Sequence, residues 1–187
     1  MFSFSFSFSG NAFAQKTVLI MVPNDFMWPE YSELRTAYER ARFKVITAGK
    51  FKEEMRPDRR NKKDFQASKP ILVDMTFDEV NLDKVDAITF VAGNGAWHDF
   101  FPNQRVHDLV KEAFNKNKVV GLLCASTGLL GLGGNWDGKS KPIAEGKKVV
   151  GYFRVAEIIK HLGKADYIDG GDKEPDVAVD GNLVTAR

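Results

Sequence analysis

Hydrophobic and polar positions along the chain alternate between two regimes, short continuous apolar runs and longer stretches of helical periodicity. Thr17-Val18-Leu19-Ile20-Met21-Val22 is apolar throughout, the mark of a strand buried on both faces. A Pro/Asn/Asp loop follows, and Pro29 suits the first turn of a helix. Leu34, Ala37, Tyr38 and Ala41 then recur at helical spacing, with Arg35, Glu39, Arg40 and Arg42 on other faces. Phe43 to Thr47 predicts a second strand closed by Gly49, so the chain opens as a βαβ unit with parallel pairing. Residues 50–68 are heavily charged and read as a surface excursion, its basic cluster Arg59-Arg60-Asn61-Lys62-Lys63 a solvated loop face, with an anion contact as the alternative.

Further strands are predicted at Ile71-Leu72-Val73, at Asp86 to Val91 and at Val119 to Leu123. The second of these ends at Gly93-Asn94-Gly95. A helix over Val106–Asn115 puts Val106, Leu109, Val110 and Phe114 on one face. Residues 154–162 read as helical, and Val177-Ala178-Val179 with Leu183-Val184 as a hairpin around Asp180-Gly181. Strands alternating with helices define an α/β fold with a doubly wound, mostly parallel sheet and helices on both faces. With neither an internal repeat nor a linker, residues 15–187 are expected to form one domain.

Composition narrows the function classes. The chain has 187 residues and a net charge of +2 with acids and bases interleaved, which gives no general case for nucleic acid or a membrane as partner. A small-molecule substrate is the expected partner. Three scattered histidines and one cysteine offer no metal-ligand spacing, and no Rossmann or Walker glycine pattern occurs, so no metal and no nucleotide cofactor are expected. Residues 1–9 alternate Phe and Ser, and Ala12-Phe13-Ala14 reads as a small-x-small cleavage signal before Gln15. Residues 1–14 are thus read as a targeting segment leading to the periplasm or outside the cell. Perfect alternation is also a strand pattern, and without export the chain would be cytoplasmic.

The single cysteine carries the sharpest signal. Cys124 follows a buried strand at once and is followed by Ala125, Ser126, Thr127 and Gly128, the small residues a nucleophile elbow needs for its sharp turn. N–H groups of a following helix would lower the thiol pKa. The alternative is an inert buried thiol. Open parallel sheets bind ligands beyond the carboxyl ends of their strands, where three loops are expected: Asn24–Glu30, Gly93–Asp99 and Cys124–Thr127.

Four segments resemble the ThiJ/PfpI superfamily, whose fold is flavodoxin-like and related to class I glutamine amidotransferases. They are Leu123-Cys124-Ala125, Phe90 to Ala96 with Asp99-Phe100-Phe101, Asp74 to Val80, and Val179 to Thr185. The resemblance implies Cys124 as nucleophile and Glu30 as its acidic partner, with Asp25 on the same loop as the fallback. A protonated Glu30 would donate a hydrogen bond to the thiolate or shuttle a proton, although a carboxylate there also complements a helix N-terminus. Backbone N–H groups of Gly93 and Ala125 would form an oxyanion hole. Asn94, His98 and Trp136 are candidate substrate contacts. His98 would otherwise be a surface loop residue, and Trp136, in the long Gly131–Lys147 connection that could form a lid, would otherwise pack that loop down. His107 is expected to be solvated. Homodimers or larger assemblies are usual in the superfamily.

Departures from the family pattern shape the functional expectation. Hydrolase-like members place His directly after the cysteine, where this chain has Ala125, and His161-Leu162-Gly163 does not supply the amidotransferase His-x-Glu. The chain also stops at Arg187, where family members continue into a final helix. The expectation is therefore a cysteine-dependent enzyme on a small carbonyl or acyl compound, of glyoxalase, deglycase or small-amide hydrolase type. Alternatives are a redox sensor using the same thiol and a chaperone-like member without catalysis.

Overall fold

The computed structural model describes residues 15–60, 66–133, 141–170 and 176–187. The expectations for residues 1–14, for Asn61-Lys62-Lys63 and for Trp136 lie outside the described residues.

The central sheet has seven strands. They are β1 (Thr17–Met21), β2 (Lys44–Gly49), β5 (Met75–Thr76), β6 (Ala87–Phe90), β7 (Val119–Leu123), β10 (Val177–Asp180) and β11 (Leu183–Ala186), in the spatial order β10-β11-β7-β6-β1-β2-β5. Every pairing is parallel except the β10–β11 hairpin. Two short ribbons stand apart. One joins β3 (Glu54–Met55) and β4 (Ile71–Leu72), and the other joins β8 (Lys148–Val149) and β9 (Asp166–Tyr167). The expected Ile71–Val73 strand therefore belongs to a ribbon and not to the main sheet.

Period-two alternation divides the core. Leu19 and Met21 of β1, with Ile88, Phe90, Val120 and Leu122, pack one face under α2 (Gln104–Asn115), α3 (Leu129–Leu132) and α4 (Ala156–His161). Ile20 and Val22 point the other way, toward α1 (Trp28–Arg40). Pro29 sits in the first turn of α1, as its fixed φ and missing N–H favour. That helix seals its face through Tyr31, Leu34 and Tyr38, whereas Ala37 and Ala41 are exposed and take no part. In α2, Val106, Leu109 and Val110 are fully buried as their spacing requires, and Asn103 caps the helix by accepting from Arg105 N–H at 3.0 Å.

Two readings of the sequence are corrected by the structure. Residues 50–60 are not simply a solvated excursion. Met55 is buried with its sulfur against Gly49, Phe26 forms a bridge to Pro57, and Asp58 N–H donates to Phe26 O at 2.8 Å. A charged stretch thus hides an apolar anchor that one-dimensional charge counting overlooks. His107 is not solvated either. It lies on the inner side of α2, buried, with neither ring nitrogen hydrogen-bonded among the described residues, and burial lowers its pKa so that the neutral ring is favoured.

The anchoring role of Met55 is measurable. Met55→Ala is expected to destabilise the fold by about 2–4 kcal/mol in a urea titration, the usual cost of emptying a closed apolar site. A change within ~0.5 kcal/mol would mark the segment as surface loop after all.

Candidate active site

Strand order reverses around β1, because the chain goes from β1 to β2 on one side and later to β6 on the other. The crevice beyond the carboxyl ends at that point is where doubly wound sheets bind ligands. The Asn24–Glu30, Gly93–Asp99 and Cys124–Thr127 loops converge there. Phe26 bridges Gly93, Met27 N–H donates to Ala92 O at 2.9 Å, and Asn24 N–H donates to the buried Asp99 carboxylate at 2.8 Å. Gly93 has a φ of 100°, and a Cβ on it would lie 2.5 Å from Asp25 O. Only glycine allows the two loops so close.

Cys124 begins the turn at the end of β7 with a φ of 48°, a left-handed conformation that costs a non-glycine residue roughly 1–2 kcal/mol. Its small neighbours hold it there. Ser126 Oγ accepts from Leu123 N–H at 2.8 Å and lies 2.9 Å from Phe90 O, and Thr127 Oγ1 donates to Cys124 O at 2.6 Å. The sequence reading valued these residues for their size, but their hydroxyls are what pin the elbow.

Glu30, in the first turn of α1, faces this turn. Its Oε2 accepts from Ala92 N–H at 2.7 Å, and its carboxyl lies near enough to the Cys124 thiol for each to shift the other's pKa. Burial raises the carboxyl to about 7 from its ordinary 4.5, against the lowering effect of the Ala92 and Cys124 hydrogen bonds. The same burial, together with the Glu30 charge, pushes the Cys124 thiol up to about 12. This corrects the expected depression of the thiol. Residues Cys124–Gly128 form a 3-10 turn leading into a helix of only four residues, so there is little macrodipole at the sulfur. Ala125 N–H, bonded to the sulfur, does lower the pKa, but it is outweighed. Between about 7 and about 12 the pair holds one proton and one negative charge, and moving that proton from sulfur to carboxyl presents a thiolate against a neutral acid.

The remaining sequence candidates lie around this pair. Asn94 is half-buried, its N–H donating to Asp58 at 3.3 Å and its amide 3.2 Å from His98 Nε2 on the exposed rim. Asp25 is the partner of neither Cys124 nor Ala92, and its φ of 57° and its carbonyl serve the loop contact with Gly93 and Gly95. His161 pairs with Glu157 at 3.0 Å on the surface. The sequence pattern does not single out Asp58 and places Arg60 only in a solvated basic cluster. Asp58 is buried, accepts from the Arg60 guanidinium and backbone, and ties residues 57–60 to the glycine loop. Its only sequence signal is an acid two places before an arginine inside a charged run. Among the described residues, no group of His, Cys, Asp and Glu is arranged to hold a metal ion.

A family model described as the DJ-1/PfpI family matches residues 16–187. The chain belongs to this family. It is 34% identical over 174 residues to an uncharacterized protein of Methanocaldococcus jannaschii, covering 92% of this chain and 74% of that protein. It is 28% identical over 117 residues to the deglycase PfpI of Pyrococcus furiosus, an alignment spanning 63% of this chain and 61% of that enzyme. A ThiJ/PfpI domain protein from Brachyspira murdochii superposes with a TM-score of 0.74 at 22% identity, over 92% of this chain and 88% of that one. Drosophila melanogaster DJ-1beta gives the same TM-score and identity, covering 92% and 82% respectively. These two likenesses establish the flavodoxin-like DJ-1/PfpI fold.

The raised Glu30 pKa fixes a sign for stability. Its folded value of about 7 lies above the ordinary 4.5, so the stability contributed by the neutral carboxyl is complete below pH 4.5 and is lost as the pH rises through 7. The difference corresponds to roughly 3 kcal/mol. Glu30→Gln, which keeps an acceptor for Ala92 N–H, is expected to be more stable than wild type by about 1–3 kcal/mol at pH 8, with the gap closing by pH 4. Denaturant melts at both pH values check this, and a less stable Glu30→Gln at pH 8 contradicts the assignment.

Proposed function

We propose that this DJ-1/PfpI protein is a cysteine-dependent enzyme acting on small carbonyl compounds, with chemistry of the glyoxalase or deglycase kind. The observation that carries the reading is the placement of the Glu30 carboxyl beside the Cys124 thiol at a left-handed elbow, with the carboxyl raised to about 7 by burial.

In this reading Glu30 takes the thiol proton as Cys124 Sγ bonds to an aldehyde carbon. The C=O electron pair moves onto oxygen, and the same proton passes from Glu30 to that oxygen, which leaves a neutral hemithioacetal and returns Glu30 to its carboxylate. Gly93 and Ala125 N–H groups serve as donors to the developing oxyanion. Asn94 and His98 on the rim receive the rest of the substrate. For an α-oxoaldehyde such as methylglyoxal, proton transfer through an enediol and hydrolysis of the resulting thioester complete the conversion to a hydroxy acid, with water as the only co-reactant.

Ala125 stands where a histidine would serve a peptidase-type pair, which leaves Glu30 to manage the proton and favours small electrophiles over amide bonds. The relationship to a deglycase over part of the chain supports the same class of substrate.

Methylglyoxal consumption by wild type is expected to rise with pH through about 7 as the pair sheds its first proton. Cys124→Ala is expected to abolish it, and Glu30→Gln to lower kcat by at least ~100-fold, the usual contribution of a positioned acid–base group. Turnover that survives Cys124→Ala would overturn the proposal.

A further inference from the structure

The basic run that begins at Arg59-Arg60 has no part in the proton chemistry, yet the fold brings Arg60 to the mouth of the Cys124 site. Asp58, whose side chain is 6% exposed, accepts from Arg60 Nε, Nη2 and backbone N–H. The same carboxylate accepts from Asn94 N–H at 3.3 Å, next to Gly93 of the proposed oxyanion hole. Asp58 N–H in turn donates to Phe26 O at 2.8 Å, and Phe26 bridges Gly93. One buried carboxylate therefore separates Arg60 from the glycine loop.

The opposite side of the mouth is set by Gly151 and Tyr152. A Cβ on Gly151 would lie 2.5 Å from Thr127 Oγ1, so this segment lies against the Cys124–Gly128 turn. Tyr152 and Cys124 are both half-buried against the same apolar core. Arg60 reaches toward that side. Its pKa is raised chiefly by the hydrogen bonds to Asp58, and the Asp25 carboxylate and the Tyr152 hydroxyl add to the effect. The guanidinium thus stands between the β1–α1 loop and Tyr152. Its side chain is 68% exposed, and Nη1 takes no part in the Asp58 pair. An exposed ion pair adds little to stability, whereas the planar fork of an arginine can hold a second carboxylate.

We propose that Arg60 determines substrate choice at this site. Its guanidinium, steadied by Asp58, receives a carboxylate on the substrate, and the preferred substrates are α-oxoaldehydes with a carboxylate a short chain away from the aldehyde. The inference rests on the aldehyde chemistry read for Cys124 and names which aldehydes it favours. An uncharged aldehyde such as methylglyoxal gains nothing from Arg60.

The test compares 4,5-dioxovalerate, an α-oxoaldehyde ending in a carboxylate, with methylglyoxal in wild type, Arg60→Met, Arg60→Lys and Arg56→Met. Arg56 lines a separate cavity with Lys50 and Glu53 and controls for net charge. Wild type is expected to favour the carboxylate substrate in kcat/KM by at least ~10-fold, the usual effect of a hydrogen bond to a charged group. Arg60→Met is expected to lose that preference through KM, Arg60→Lys to keep part of it, and Arg56→Met to keep it in full. Equal losses on both substrates in Arg60→Met overturn the proposal. A second ratio needs no turnover. N-Iodoacetylglycine and iodoacetamide both alkylate Cys124, but only the first carries a carboxylate, at the same remove from its reactive carbon as in 4,5-dioxovalerate. Arg60→Met is expected to slow the first relative to the second several-fold. A relative rate unchanged by Arg60→Met, or lowered as much by Arg56→Met, overturns the proposal whether or not any aldehyde is consumed. No aldehyde turnover, with the alkylation ratio still falling in Arg60→Met, overturns the aldehyde reading of Cys124 and supports the carboxylate subsite.

Discussion

A carboxyl that is half-hidden from water and faces a thiol resists ionisation, and the geometry of this site follows from that resistance. Glu30 is placed by the first turn of α1 and steadied by Ala92 N–H, yet these do not restore the hydration it loses. Its proton is therefore held to about 7, and the thiol beside it is pushed up to about 12 by burial and by the charge Glu30 acquires. Neither value belongs to one residue in isolation. The two groups titrate as a coupled pair, the carboxyl losing its proton first.

The backbone around the pair is arranged so that it cannot drift. Cys124 is kept left-handed by the hydroxyls of Ser126 and Thr127, and Glu30 is kept in place through the stacking of the β1–α1 loop on Gly93 and Gly95. A Cβ on Gly95 would run into Asn24 O, so close backbone contact fixes those loops alongside the packing of the buried Phe26. Asp58 and Asp99 add carboxylates that accept from loop N–H groups, which stiffens the rim without entering the chemistry. Preorganisation of this kind is what lets a small set of residues do acid–base work.

Much of this was legible in the sequence. Continuous apolar runs located β1, β6 and β7, and the small residues after Cys124 located the elbow, because strand burial and turn sterics leave strong one-dimensional traces. The pairing of Glu30 with Cys124 came from the family resemblance, since nothing in local spacing brings residues 30 and 124 together. The raised thiol was not legible. Its sign depends on burial and on how short the helix after it is, and both are tertiary facts. The burial of Met55 and Asp58 inside a charged stretch was hidden for the same reason, and so was the neutral, inward-facing His107. The exposure of Val119 among the described residues could not be seen in the strand pattern either, because it sits in a run that reads as buried on both sides.

The shared proton is tested most directly by the pH dependence of Cys124 alkylation by iodoacetamide, in wild type and in Glu30→Gln. For wild type the account predicts a rate that steps up through about pH 7, as the pair releases its first proton, and rises again only toward 12. Glu30→Gln should lose the step near 7 and show a single titration below 12, because the raising charge is gone. A wild-type profile with one rise near the free-cysteine value of about 8.5, unchanged by Glu30→Gln, would contradict it.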